Sequence, residues 1–482
     1  MRRITTLLLL LSLCMAGYAQ KAQHFRPDGT YLIAHFSDTH IDAKDPETTK
    51  RTHETIRGVL TANRPDLAVF NGDIVTAAPA EGAWRDLIHL MEECRTPFVV
   101  TSGNHDPEFM TREAIYDLLE ASPYYVGDRG PAELTGMGNC IVPVYGQDER
   151  AKALLYFLDS NDYFEDQFVQ HYDWIHFDQI SWYREQSDLL TAQNGGKPLP
   201  ALMFFHIPLP EFGRLKGAPK TFGEPREWVS SAFYSTGLFA SVLEKKDVMG
   251  IFAGHDHSND MIGIDSGVAL GYGRVSGWGA YGQPERGARM IKLYEGERRF
   301  DSWVTTPTGG PEGIYYYPSG INSIEETRAT YLPALEVQPT EHGVAYTYYE
   351  GPFKHTSQIT EDLAVASGIM PNFAIDKYDT KDHFAYKYRT YIRIPERGIY
   401  RFYTYSDDGS VLYLDGQKLV DNDGGHSSQM KEGVVALEPG FHLMEVHYFE
   451  DYMGNELEVG LVSRTMLSQP IPSELLYLPE KK

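Results

Sequence analysis

A chain of 482 residues is too long for one compact core, so two domains are expected. The 42% hydrophobic share is that of a globular protein, nothing in it reads as disordered, and the 13% aromatic share, led by 32 tyrosines, leans towards extensive β-structure. A formal net charge of −24 excludes a broad basic surface for nucleic acid backbones, so attraction for an anionic substrate has to be local.

Residues 1–19 read as a secretion signal: Arg2 and Arg3, leucines at 7–11, then small residues ending at Ala19, where cleavage is expected. Lipid anchoring at Cys14 is disfavoured because Leu13 stands where a small residue is wanted. No later stretch has the apolar length of a bilayer span, so an exported protein, periplasmic or extracellular, is expected. Cys94 and Cys140 survive processing, and both a disulfide and two free thiols stay open.

Residues 24–305 alternate short apolar runs with longer amphipathic stretches, the rhythm of an α/β or α+β layered domain. Strands are predicted at 32–34, 67–70, 98–100, 154–157, 202–205 and 251–253, and helices near 48–62, 81–93, 112–120 and 178–190. Residues 306–338, rich in Gly, Pro and Tyr, read as a linker that partly packs on its neighbours. Within 339–475, Phe384, Tyr386, Tyr388, Thr390, Ile392 and Ile394 alternate by twos, and Asp415-Gly416 signals a hairpin. Regularly spaced short strands without a helical pattern predict an all-β sandwich.

Chemistry concentrates in five clusters of the first domain: Ser37-Asp38-Thr39-His40, Asn71-Gly72-Asp73, Gly103-Asn104-His105-Asp106, Phe205-His206 and Gly254-His255-Asp256-His257. Carboxylates and imidazoles are the donors that metal ions of moderate hardness take. Each cluster follows a predicted strand, where layered α/β proteins place ligands, so the five are expected to meet at one sheet rim. On an extended backbone Asp38 and His40 face one side, as do His255 and His257, with Asp256 turned away. Gly72, Gly103 and Gly254 are expected to bring backbone close to a bound anion.

These blocks, in this order, resemble the calcineurin-type metallophosphoesterases, whose signature reads D-x-H, G-D, G-N-H-D/E, H and G-H-x-H. The continuation to Asp260, the 271–282 stretch and Arg286-Gly287-Ala288-Arg289 resemble the purple-acid-phosphatase-like branch. The resemblance implies a four-layer sandwich and two metal ions, drawn from iron, zinc or manganese. Asp38, His40, Asp73 and His257 then hold the first ion, and Asp73, Asn104, His206 and His255 the second, with Asp73 bridging. It further implies attack by a metal-bridging hydroxide, with His105 protonating the leaving alkoxide and Asp106 orienting that imidazole. Thr76 stands where true purple acid phosphatases have an iron-binding tyrosine, and His40 where they have glycine, so the purple colour is expected to be absent.

Blander readings stand beside these. His35 and His53 read as packed residues and Trp182 and Tyr183 as core or interface packing. Tyr272, Trp278 and Tyr281 either line a substrate pocket or fill space.

In the second domain, Tyr405-Ser406-Asp407-Asp408-Gly409-Ser410 and Leu412-Tyr413-Leu414-Asp415-Gly416 resemble the protective-antigen-type (PA14-like) β-sandwich of yeast adhesins and some glycosidases. That resemblance implies calcium at Asp407 and Asp408 and, through it, a carbohydrate ligand; an ordinary Asp-Asp-Gly turn is the alternative. The whole reads as an exported phosphomonoesterase acting on a phosphorylated small molecule or glycan. The alternatives are a phosphodiesterase for nucleotides, phosphorylated glycans or lipid head groups, and a carbohydrate-binding surface protein with a vestigial enzyme fold.

Overall fold

The computed structural model describes residues 22–165, 170–375 and 382–479, so the expected secretion signal and Cys14 lie outside the described residues. The chain divides into two compact units between Asn322 and Ser323.

The first unit is built on two sheets. One runs in the order Ile321–Asn322, Tyr315–Tyr317, Phe300–Thr305, Ala288–Tyr294, Thr30–Ser37, Leu67–Asn71, Phe98–Thr101, with Arg274–Val275 also pairing with Thr30–Ser37. The other runs Gln23–His24, Cys140–Tyr145, Ala151–Phe157, Ala201–Phe204, Val248–Ala253, Val268–Tyr272, Ile262–Asp265. Successive side chains of a strand point to opposite faces, and both faces here are buried. Along Thr30–Ser37, Tyr31 and Ile33 join Leu155, Phe204 and Phe252 between the sheets. Ala34 and Phe36 instead meet Ile56, Trp84, Leu87 and Ile115 of the helices Pro46–Asn63, Ala80–Cys94 and Arg112–Ala121. On the other sheet Tyr156, Met203 and Ile251 meet Ile180 and Tyr183 of Phe177–Gln193 and Val242 of Leu238–Lys245. The result is a four-layer helix–sheet–sheet–helix sandwich.

Local chemistry sets the helix starts. Asp45 accepts from Thr48 N at 3.1 Å and Thr111 from Ala114 N at 3.3 Å, each occupying an amide that has no partner within its helix. The four expected helices and six expected strands are present within a few residues of their predicted ends. Helix Leu238–Lys245 escaped prediction because eight residues give barely two turns of periodicity. The 306–338 stretch is divided: Tyr315–Tyr317 and Ile321–Asn322 extend the first sheet, whereas Leu332 and Leu335 bridge to Leu437 and Phe441 in the second unit. Pairing with a preformed sheet edge gives order to a segment whose own sequence has no period. Cys94 and Cys140 are free thiols, which closes the disulfide alternative.

The second unit is all strand apart from short helical turns. Ala364–Met370, Val344–Glu350, Phe384–Ile394, Gly440–Glu450, Ser410–Leu414 and Gln417–Asn422 form one sheet, joined by Leu476–Tyr477. Gln429–Leu437, Gly398–Asp407, Glu456–Ser463 and Gln469–Pro470 form the other. Tyr386, Tyr388, Phe402, Leu412, Val446 and Leu461 fill the space between them. Asp415 and Gly416 turn the expected hairpin with φ of 48° and 78°, both positive, as a two-residue turn matched to strand twist requires. Among the described residues no helix is long and apolar enough to cross a membrane.

Candidate metal centre

The five clusters do follow strand ends, but not of one sheet. Asp38, Asp73 and Asn104 leave Thr30–Ser37, Leu67–Asn71 and Phe98–Thr101 in the first sheet; His206 and His255 leave Ala201–Phe204 and Val248–Ala253 in the second. The donors therefore meet across the seam between two sheets. Asn71 closes that seam: its amide donates to the carbonyls of Phe205 and Phe252 at 3.0 and 3.2 Å and accepts from Thr101 Oγ1 at 2.6 Å. The Asn-Gly-Asp motif contained this residue, yet no local pattern marks a side chain that bridges two sheets.

The paired ligands reach the centre by left-handed backbone, not by extended alternation. Asp38, His40, Asp73 and His255 have φ of 54°, 41°, 50° and 76°, a strained region for residues with a Cβ and one found where a functional site requires it. The nearby glycines make room for the metal-donor side chains. A Cβ on Gly103 would stand 2.3 Å from Asp73 Oδ1, and one on Gly72 2.3 Å from the His206 ring.

Two donor groups result. Asp38, His40, Asp73 and His257 place one ligand atom each within 4.8 Å of one another, and so do Asp73, His206 and His255. Asp73 belongs to both. Its Oδ2 lies 3.2 Å from His206 Nε2 and 3.8 Å from His40 Nε2, while Oδ1 accepts from His105 N at 2.9 Å. One oxygen therefore faces both groups and the other anchors the loop. Asp38 Oδ1 lies 3.2 Å from His257 Nε2, and its carboxylate also accepts from His255 N and Ser37 Oγ.

Histidine tautomers follow from the second ring nitrogen. His206 Nδ1 donates to the Asn71 carbonyl at 2.8 Å, which turns Nε2 towards Asp73. Asn104 Nδ2 donates to the Tyr163 phenol oxygen at 2.8 Å, which leaves Asn104 Oδ1 open to another partner. His40 Nε2, His206 Nε2, His255 Nδ1 and Nε2, His257 Nδ1 and Asn104 Oδ1 are all buried without a hydrogen-bond partner. Buried polar atoms in that state are costly, and so many at one point fit a set of cation ligands.

Charge agrees with this. Burial pulls His255 down to about 3 and His40 to about 4, so both are neutral, electron-pair-donating rings at neutral pH. Burial pulls on His206 too, but Asp73 and Asp38 overcome it and hold the ring up to about 10. The same carboxylate field attracts a cation.

The structure corrects the expected partner of His105. Asp106 is fully buried and accepts from the backbone N–H groups of Ile74, Val75 and Gly103 at 2.8, 3.0 and 2.8 Å, pinning the Asp73 loop to the Asn104 loop. His105 Nδ1 instead meets Glu108 Oε1 at 2.7 Å. The reason is the short helical turn Asp106–Glu108, which turns residue i+3 back onto residue i. A Glu in the run Asp-Pro-Glu was a signal available in the sequence.

His35 is buried edge-on to Phe204 at 5.6 Å, as a packed residue, and the His53 ring is pulled down by burial on its helix. Tyr183 is core. Of the three late aromatics, Tyr272 is buried and donates to Asp256 at 2.5 Å, and Trp278 is tied to Thr52 and Thr55. Only Tyr281 faces the centre, 4.0 Å from the His257 ring. In the second unit Asp407 and Asp408 lie with Glu450, which the sequence did not single out, one ligand atom from each within 4.8 Å.

The model of the calcineurin-like phosphoesterase family matches residues 31–259, and that of the PA14 domain residues 340–473. The chain is 29% identical over 332 residues to a protein of Arabidopsis thaliana named probable inactive purple acid phosphatase 29, across 61% of this chain and 85% of the relative. It is 30% identical over 314 residues to probable inactive purple acid phosphatase 28 of the same plant, across 58% and 79%. A dimetal phosphatase of Danio rerio is similar at 13% identity and a TM-score of 0.42, across 59% of this chain and 98% of that one.

Proposed function

The chain belongs to the calcineurin-like phosphoesterase family, and on that premise we propose that it is an exported, dinuclear-metal phosphomonoesterase. The observation that carries the reading is the group of buried, unpartnered ring nitrogens and one amide oxygen around a carboxylate that two donor groups share. Asp38, His40 and His257 would hold one ion, His206 and His255 the other, and Asp73 both, with the unpartnered Asn104 Oδ1 completing the second set. The imidazole-rich set suits iron, zinc or manganese. When bound, two neighbouring cations lower the pKa of a shared water and neutralise the oxygens of an in-line displacement.

The protein's own groups do the remaining work. His105, partly exposed beside the donors, gives a proton to the departing alkoxide, and Glu108 holds its ring by Nδ1 so that Nε2 is presented. Asp106 acts at one remove, by fixing the loops that carry Asp73 and Asn104. Export rests on the pattern of residues 1–19.

The two Arabidopsis relatives are named inactive, a statement about those proteins; here every donor position of the signature carries a competent residue. Metal analysis of the purified protein, with turnover of an aryl monoester and a bis-aryl diester, tests the reading. Two ions per chain and faster monoester turnover are expected. Faster diester turnover would move the assignment to a phosphodiesterase acting on nucleotides, phosphorylated glycans or lipid head groups. A metal-free protein that does not respond to added metal would end the hydrolase reading.

For the second unit, the Asp407–Asp408–Glu450 group favours a calcium site, with a carbohydrate as its ligand. Glu450 Oε1 is buried without a hydrogen-bond partner, and burial together with Asp408 and Asp407 pushes the carboxyl up to about 8. A hard cation relieves that crowding. Calcium at about one hundred times its dissociation constant should raise the melting temperature of the unit by several degrees, an effect of about 2.7 kcal/mol. Asp408→Ala should abolish the shift; a wild-type melting curve indifferent to calcium would remove the site.

A further inference from the structure

The metal donors are flanked by tyrosine rings that the phosphoesterase chemistry does not use. On one side, Tyr281 lies 4.0 Å from His257. On the other, Tyr172 stands edge-on to His255 at 4.4 Å and stacks at 5.7 Å on Tyr163, which in turn is 6.5 Å from His105. Tyr281 is 58% exposed and Tyr163 43%, so their rings border open solvent although they rest on buried ligands.

These rings are held in place. The loop that carries Tyr281 is stapled from within by Arg286, whose guanidinium donates to the carbonyls of Gly277, Pro284 and Ala280 at 2.7, 2.8 and 2.6 Å. The Tyr281 hydroxyl donates to Glu227 Oε2 at 3.1 Å. Tyr163 is fixed through its oxygen by Asn104. Fixed rings with an open face are preorganised for stacking, whereas mobile ones would lose entropy on binding.

We infer that the two tyrosine walls select phosphoesters whose alcohol carries a flat aromatic ring close to the phosphorus, with Tyr281 as a specificity-determining residue. The placement of the phosphoryl group between the walls rests on the metal centre proposed above. A phosphoryl group held beside Asp73 would have its ester substituent among His105, His257 and His255, and these are the three residues that the tyrosine rings adjoin. An aromatic face placed there gains ring–ring attraction that a saturated ring of equal size does not.

The test uses the full chain loaded with the metal found in the purified protein, and two phosphonates that cannot be hydrolysed, benzylphosphonate and cyclohexylmethylphosphonate. Calorimetric titration should show benzylphosphonate binding about fivefold more tightly. Tyr281→Ala should lower that ratio below about two and Tyr281→Phe should keep it, since the ring rather than the hydroxyl carries the preference. A ratio near one in the wild type, a ratio unchanged by Tyr281→Ala, or no binding of either compound overturns the inference. Turnover of benzyl phosphate, followed in parallel, separates the two ideas: a phosphonate preference without turnover leaves the aromatic selection standing and removes the monoesterase reading.

Discussion

Replacing Asp73 with alanine is expected to take both metal ions from the protein and to lower phosphoesterase activity by at least about a thousandfold, because this one carboxylate serves both donor groups. Its Oδ2 lies between His206 and His40, and neither group keeps an anionic bridge without it. His257→Ala is the contrasting variant. It touches only the group formed with Asp38 and His40, so one ion should remain with Asn104, His206 and His255. Elemental analysis beside a circular dichroism spectrum checks both, the spectrum showing that the four-layer fold persists. An Asp73→Ala protein that still carried two ions would show that the groups do not share this residue.

His105→Ala is expected to behave in the opposite way: two ions retained and kcat lowered by roughly a hundredfold to ten-thousandfold, the range for a lost general acid. The loss should be larger with an alkyl ester than with a nitrophenyl ester, because only the more basic alkoxide needs a proton as it departs. Glu108→Gln should cause a smaller fall of the same kind, since it removes the charged partner 2.7 Å from Nδ1 and leaves Nε2 in place. Full activity of His105→Ala on the alkyl ester would remove the acid role altogether.

Much of this centre was legible before any fold was known. Buried strands of a layered protein are runs of apolar residues, and a run that stops at Asp, His or Asn marks the place where the chain leaves the sheet. Asp38, Asp73, Asn104, His206 and His255 all stand within three residues of such a strand end. The role expected of Asp106, by contrast, followed from the family resemblance and not from any signal of its own. A side chain's partner depends on where its backbone turns, and here the turn hands the role to Glu108 while Asp106 faces the amides of Ile74, Val75 and Gly103.

The sequence by itself determined the donor types, their order, the strand ends that carry them, four of the helices and the all-strand character of the second unit, because each is written in local periodicity or in a short motif. Only the tertiary structure decided that the strands belong to two sheets, that Asn71 ties those sheets together and that Asp73 stands between the two donor groups. An apolar run reads the same whichever sheet it joins, and its neighbours are chosen by contacts many residues away, as when Ala288–Tyr294 pairs with Thr30–Ser37. The left-handed backbone at Asp38, His40, Asp73 and His255 belongs to the same class of facts: residue type disfavours it, and only the packed surroundings hold it.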